Sequence, residues 1–512
     1  MKKSLRIMSI SLCITLLLSL GTACSSGSES SSTTNSSDNS STVENSISEE
    51  STGEPTSISM YLVFDGVEYP APGNDIQKII EEYTNTQLEI SAYGNYGDLY
   101  PTMLASGDFP DVMTTLDLPI TKDAVRSGMF WDIMPYLDST NNLKDYHPTT
   151  LENSTVDGKL IGIPKVRPLV RRTFVYRKDW ADQLGLSVPT NVEEFYQFLK
   201  SYATSDLDGN GEQDTYGLIA DKTVINHMCF LFGAPNVWEI KDGQAIRNFT
   251  TPEYLEGLKF MKKLVDEKIL HPEWSTVSRN QFYNVFEDGT GGVMWDSTNA
   301  IQMLGARVEA KDPNASVDAF TLLTDTKGQQ RTMGEAGHLG WLSIPSVVPE
   351  EKVGKIVEFF DKTADEEMAS LLVWGVEGQH YNVEEGNAIP IEEAASNYED
   401  TIRYPYKLPF SAVNYEDYAR PGIYNKYQQR ALDIDREMLE YMVPNPIFPL
   451  DSQTYFEMGK TLDQIIQDAS IKFVSGALDE SGFLAEVERW RTTGGDKVAQ
   501  EYMESYNTIH GE

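Results

Sequence analysis

The stretch "SDLDGNGEQDTYG", residues 205–217, sets Asp206, Asp208, Asn210 and Asp214 at near-alternate positions through a turn that also carries Gly209 and Gly211. Side-chain oxygens spaced in this way face one centre when the backbone curls, which is how a hard cation such as Ca²⁺ collects its ligands. With Asp206 as position 1, oxygens fall at positions 1, 3, 5 and 9, Gly211 supplies the sharp turn at position 6, and Glu212 at position 7 turns its backbone carbonyl inward. Position 12, a bidentate Glu in an EF-hand, is Gly217, and the "YGLIA" around it reads as strand rather than as an exiting helix. The pattern predicts a static structural calcium rather than a calcium sensor. A phosphate cradle would need a basic residue and a helix opening at the glycines. Acid/base catalysis would place two carboxylates in unlike environments rather than ring four together. A plain acidic surface turn is the remaining alternative.

Other chemistry is sparse. No G-x-S-x-G, H-E-x-x-H or complete P-loop occurs, and Gly459-Lys460-Thr461 lacks the upstream glycine. The 6 histidines are scattered. Nothing nominates a nucleophile, so no catalytic residue is expected.

The N-terminus explains where such a chain works. Met1 to Ala23 carries Lys2, Lys3 and Arg6 ahead of an apolar run that ends in small residues, the pattern of a secretory signal. Cys24 follows directly, so the start resembles a bacterial lipoprotein signal in which that cysteine is the lipid anchor; Gly21 stands where leucine is usual, with Leu20 one place earlier. Residues 24–56 are mostly Ser, Thr, Asn and Glu, too polar to offset the entropy of ordering, and read as a tether. A coil of that length spans about 30 Å. Of the 3 cysteines, Cys13 leaves with the signal and Cys24 is the anchor, which leaves Cys229 without a disulfide partner. An exported chain of this kind depends on a large core rather than on staples. Its formal charge of -37 argues against nucleic acid and against adsorption on anionic lipid.

Beyond the tether, strand and helix patterns alternate. "TSISMYLVF" reads as a strand, "NDIQKIIEEYTNTQ" as a helix capped by Asn74, "LEISAYG" as a second strand, "YGDLYPTMLASGD" as a helix and "DVMTT" as a third strand. The alternation predicts an α/β fold with a mostly parallel sheet. "PTNVEEFYQFLKSYA" predicts a helix with a Thr190–Glu193 capping box and an apolar stripe of Val192, Phe195, Phe198, Leu199 and Tyr202.

Several blocks in order resemble the extracellular solute-binding proteins of ABC importers, the family 1 type related to maltose- and alginate-oligosaccharide-binding receptors: "LYPTMLASGDFPDVM", "DGKLIGIP", "RKDWADQLGLSVPTNVEEFYQFLKSYATSDLDGNGEQDTYGL", "GGVMWD", "WGVEGQHY" and "VSGALDESGFLAEVERWRTTGGDKVAQEYMESY". The resemblance implies a type II periplasmic-binding-protein-like α/β fold, two lobes joined by a hinge with ligand in the cleft between them. Lobe 1 is expected over 57–166 plus 299–345, and lobe 2 over 167–298 plus 346–505. It also implies that the 206–215 loop holds its calcium in lobe 2 through Asp206, Asp208, Asn210, Glu212 and Asp214; Thr215 stands where some relatives have Glu.

A sugar offers apolar C–H faces to aromatic rings and hydroxyl edges to paired polar groups. Candidates near strand ends and crossings are Trp295 with Asp296, then Trp374, Glu377 and Tyr381, then Arg403, Tyr404 and Tyr406, and Phe64 with Asp65. Arg171, Arg172 and Arg177 lie past the first crossing and suit an acidic sugar, with surface salt bridges as the alternative. The reading is an exported, lipid-anchored monomeric receptor on the outer face of the cell membrane, capturing an oligosaccharide by hinge closure and delivering it to an ABC permease. The alternatives are a surface glycoside hydrolase or lyase, or a ligand-presenting sensor on the same fold.

Overall fold

The computed structural model describes residues 53–511 apart from 65–67, 95, 208, 213 and 322–323. The signal, nearly all of the tether, Cys24, Asp65 and Asp208 lie outside the described residues.

The first strand, Thr56–Val63, buries Ile58, Met60 and Leu62 on one face, as its alternation requires. It pairs in parallel with Thr86–Tyr93 on one side and with Val112–Thr115 on the other. The helix Asp75–Thr84 joins the first two, and Asn74 caps it by accepting from the Gln77 amide. On the far side the sheet changes character. His338–Ser343 inserts antiparallel between Val112–Thr115 and Gly162–Val166, so the expected mostly parallel sheet holds on one side only.

A second sheet has four strands in the order Val317–Phe320, Arg172–Arg177, Gly291–Ser297, Tyr216–Ile219, of which only the last pair is parallel. The helix Val192–Ala203 lies against it with its whole predicted stripe buried. Its cap is one residue later than the sequence predicts. Asn191 accepts from the Glu194 amide at 3.0 Å, and the Glu194 carboxylate takes both the amide and the hydroxyl of Thr190. Asparagine is as good a cap as threonine, and the longer reach to Thr190 satisfies two donors at once.

Each sheet has its own core, which makes the chain two lobes. The first core joins residues between Ile58 and Ile163 to residues between Trp341 and Tyr415. The second sheet is packed on both faces by residues from Val170 to Phe320 and from Tyr427 to Tyr502. The expected lobe boundaries are therefore corrected in two segments. Residues 299–320 belong with lobe 2, because Val317–Phe320 zips along Arg172–Arg177 and the helix Asn299–Lys311 packs its Ile301, Leu304 and Val308 beneath that sheet. The helices Glu350–Lys362 and Glu366–Trp374 belong with lobe 1, where Phe359 and Phe360 meet Phe410. The chain returns to lobe 2 only at the helix Lys426–Leu439.

One carboxylate makes the lobe 1 attachment specific. Asp361 accepts from the backbone amides of Asn141, Asn142 and Leu143 at 2.8, 2.8 and 3.0 Å while itself buried. Asp361→Ala leaves those three donors without their acceptor, the Leu143 amide of them buried, and is expected to destabilise the protein by about 2–4 kcal/mol, read as a lower urea midpoint with an unchanged m-value.

Candidate functional site

The first two crossings between the lobes run side by side. The Arg167 amide donates to Gly337 O at 2.9 Å and the Glu335 amide to Leu169 O at 2.7 Å, so residues 167–171 and 334–337 form a paired strap. Thr298, between the Gly291–Ser297 strand and its following helix, donates its amide to Arg171 O at 2.9 Å. Its hydroxyl donates to Asp435 Oδ1 at 2.8 Å.

Charge concentrates at this strap. The Glu335 carboxylate receives Arg172 Nε at 2.9 Å, and Arg171 Nε lies 3.1 Å from its other oxygen as an ion pair without hydrogen-bond alignment. The Arg172 guanidinium lies 5.2 Å from the centre of the Trp295 ring. Strand pairing explains this contact: Arg172 stands opposite Ser297 and Phe174 opposite Trp295, and side chains two apart share a face. His227, on the helix Val224–Leu231, completes the aromatic wall with ring centres 5.6 Å from Trp295 and 5.3 Å from Phe174. Burial, and then the nearby Arg172 charge, lower the His227 pKa to about 3, so the ring is neutral at physiological pH. Arg172 Nη1, Trp295 Nε1 and both ring nitrogens of His227 are buried with no hydrogen-bond partner among the described residues.

A second meeting of the lobes lies away from the strap. Asp117, Lys122 and Trp341 of lobe 1 face Phe448 and Pro449 of lobe 2 across a small crevice. Lys122 Nζ lies 3.4 Å from Leu450 O, and Arg126 pairs with Asp451.

The predicted ligand residues fall in separate places. Trp295 and Arg171 are at the strap. Asp296 is not beside Trp295: adjacent strand residues point to opposite faces, and Asp296 is buried behind the sheet, accepting from Tyr283 Oη at 2.8 Å with Arg279 Nη1 at 3.3 Å. Arg177 is at the other end of its strand, 2.6 Å from Asp179 with its guanidinium over Trp180. Trp374, Glu377 and Tyr381 form a local group in lobe 1. There Trp374 Nε1 donates to Arg420 O at 2.9 Å, its ring meets Tyr424, and Glu377 lies 3.6 Å from Arg420 Nη1. Phe64 and Tyr406 come together through Tyr69, whose ring edges meet both. Tyr406 is fully buried and accepts from Asn74 Nδ2 at 2.7 Å, which ties it to the first helix cap instead of a ligand. Arg403 pairs with Glu399 at 2.5 Å and lies over the Tyr404 ring. His227, Glu335 and Asp435 carried no sequence signal; the only hint was the adjacent pair Arg171 and Arg172 in a strongly acidic chain.

The aspartate-rich loop is anchored at both ends. Asp206 Oδ2 accepts from the Gly211 amide at 3.0 Å, Asn210 Oδ1 from the Glu212 amide at 2.7 Å, and Gly209 and Gly211 take φ of 74° and 85°, a turn suited to glycine. Thr215 is buried and donates its hydroxyl toward Tyr202 O and Ser205 O, fastening the loop to the preceding helix. Asn210 Nδ2 donates to Asp214. The donors are all oxygen, which suits a hard cation, although no three acidic side chains converge among the described residues. Gly217 explains the missing position 12. A Cβ there would stand 2.1 Å from Leu199 O, so no glutamate fits.

Sequence comparison places this architecture. The family model described as "Bacterial extracellular solute-binding protein" matches residues 68–362, more than half of the chain. The chain belongs to that family. It is 32% identical to the polygalacturonan/rhamnogalacturonan-binding protein YtcQ of Bacillus subtilis (strain 168), over 84% of this chain and 87% of YtcQ. It is 29% identical to the lipoprotein LipO of the same organism, over 90% of this chain and 94% of LipO. Among solved structures, the alginate-binding protein AlgQ2 without calcium ion shares the fold with a TM-score of 0.61 at 18% identity, covering 89% of this chain and 99% of AlgQ2.

Asp435 gives the strap a pH signature. Burial raises its pKa from 3.8 to about 7, against the opposing pulls of Thr298 and Arg171. A carboxyl whose folded pKa exceeds its unfolded value stabilises the fold while protonated. Stability is therefore expected to fall as pH rises from about 4 through about 7. Asp435→Asn is expected to flatten that fall, measured as the Tm at each pH.

Proposed function

We propose that this protein is a lipid-anchored receptor that captures an oligosaccharide between its two lobes and presents it to the membrane subunits of an ABC importer. The observation that carries this reading is the set of unpaired buried nitrogens around Trp295, set where two crossings join the lobes. An unpaired buried donor costs on the order of 1–3 kcal/mol, and a ligand that supplies acceptors offsets that cost. The lobes part and close about the strap, so the ligand is enclosed as they close. The permease then selects the closed, loaded form. The names of YtcQ, a saccharide-binding protein, and LipO, a lipoprotein, support the ligand class and the Cys24 anchor. No group in the strap is arranged for covalent chemistry; its work is recognition.

Asp206, Asp208, Asn210 and Asp214, with the Glu212 carbonyl, would hold a structural Ca²⁺. The ion would supply charge neutralisation to the loop that follows the Val192–Ala203 helix. Thr215 and Asp206 provide the frame.

A thermal-shift panel of mono- and oligosaccharides on residues 24–512, with the same mixtures assayed for cleavage products, tests the receptor reading. A raised Tm with one saccharide class and no products is expected; released products would make the protein a hydrolase or lyase. For the metal, EDTA is expected to lower the Tm by a few degrees, about 3 kcal/mol if the site is well saturated, and Ca²⁺ to restore it. Asp206→Ala should remove that response, and elemental analysis without calcium would refute the site.

A further inference from the structure

We propose that Arg126 of lobe 1 and Asp451 of lobe 2 form a breakable tie that fixes the angle between the lobes in the ligand-free protein. The inference rests on the reading that the lobes move about the strap, and adds a second contact, outside the strap, that governs the movement.

Each partner is presented by a firm support. Arg126 ends the helix Pro119–Arg126, and its guanidinium nitrogens face three carboxylates. Nε donates to Asp157 Oδ2 at 3.1 Å, Nη1 lies 3.5 Å from Asp123 Oδ1, and Nη2 donates to Asp451 Oδ2. Asp157 sits in a tight turn closed by the backbone hydrogen bonds that Val156 and Lys159 exchange, with φ of 50° at Asp157 and 76° at Gly158. Two left-handed residues in succession are what such a hairpin turn requires. On the other lobe the Asp451 amide donates to Ser505 Oγ at 3.1 Å. The residues after it are fastened by Glu501 of the helix Asp496–His510, whose carboxylate accepts from the Ser452 hydroxyl at 2.6 Å and from the Thr454 amide and hydroxyl, each at 2.8 Å. Asp451 therefore cannot follow Arg126 if the lobes part. The bond between them breaks instead.

Charge balance makes the tie short-ranged. Asp123 and Asp157 outweigh Arg126 on lobe 1, so at a distance that side presents net negative charge to Asp451. Only within hydrogen-bond reach does the remaining guanidinium edge prevail, because a charge-assisted bond depends on close, aligned geometry. The tie is thus either made or lost. Lys122 adds a neighbouring strut, its Nζ donating to Leu450 O at 3.4 Å while 3.8 Å from Asp117. The Arg126 and Asp451 side chains are 37% and 33% exposed, so the bond can part without uncovering core and lies open to screening by salt. A ligand that favours another lobe angle must first break it, which makes the pair a setting of the ligand-free population.

The test is the spin–spin distance between nitroxide labels on Ser127→Cys and Gln453→Cys, exposed positions flanking the tie, in ligand-free residues 24–512 carrying Cys24→Ser. Cys229 is buried and stays unlabelled. One short distance is expected at low salt. Asp451→Asn, Arg126→Gln and about 1 M NaCl are each expected to raise the share of a longer distance about two- to fivefold, the range for a partly exposed ion pair. The exchanged pair Arg126→Asp with Asp451→Arg should restore part of the short population, since the new arginine meets Asp123 and Asp157 from the other side. The far-UV spectrum reports folding, and the salt arm stands even if a variant fails to fold. A distance that neither salt nor a folded variant shifts overturns the tie, as does a salt effect that persists in full in Asp451→Asn. Saccharide binding in the thermal-shift panel remains the separate test of the receptor reading.

Discussion

Glu335 between Arg171 and Arg172 is the contact on which the arrangement of the lobes depends. Two guanidinium groups on neighbouring residues repel, and partial burial removes the water that would screen them. One carboxylate from the second crossing sits between them, and the amide of the same residue bonds the first crossing at Leu169. Charge and backbone thus hold two chain segments, remote in sequence, in a single register. From that register follow the start of the Arg172–Arg177 strand, the placing of Arg172 over Trp295, and the partner that Thr298 finds in Arg171.

The rest of each lobe serves to bring rigid elements to this strap. The Val192–Ala203 helix buries its stripe against the second sheet, and Phe174 and Phe195 at 4.7 Å between ring centres build the floor beneath Trp295 and His227. An aromatic floor of this density resists rotamer change, so the polar atoms above it are held in place even without partners. Lobe 1 is fixed just as firmly by Asp361 and by Phe359, Phe360 and Phe410. Rigid bodies joined by a short paired strap are what hinge motion requires.

How much of this was legible depended on the range of the interaction. The helix stripe from Val192 to Tyr202 was readable because its period is local, and Asn74 was readable as a cap because capping involves only the next turn. Strand alternation alone separates Trp295 from Asp296, so their apartness could have been read from the sequence. The lobe boundaries were not readable. Val317–Phe320 and His338–Ser343 are similar short apolar runs, and only their distant partners decide which sheet each joins. His227 was hidden for a related reason: one histidine in an apolar helix has no pattern until a fold sets it beside Trp295. The glycine at position 217 looked like a defect in a calcium loop, whereas it answers to the Leu199 carbonyl of a neighbouring helix.

The insertion of His338–Ser343 between Val112–Thr115 and Gly162–Val166 sets an order of assembly for a chain that emerges N-terminus first. Once residue 320 is out, all four strands of the second sheet are present. The first sheet, although its earliest strands appear sooner, keeps the position between Val112–Thr115 and Gly162–Val166 vacant until residue 343 follows. Its edge strands wait with unpaired backbone groups, open to wrong partners. The sheet that begins first is therefore closed last, although the helices that carry Tyr427 to Tyr502 complete the core of the second lobe later still.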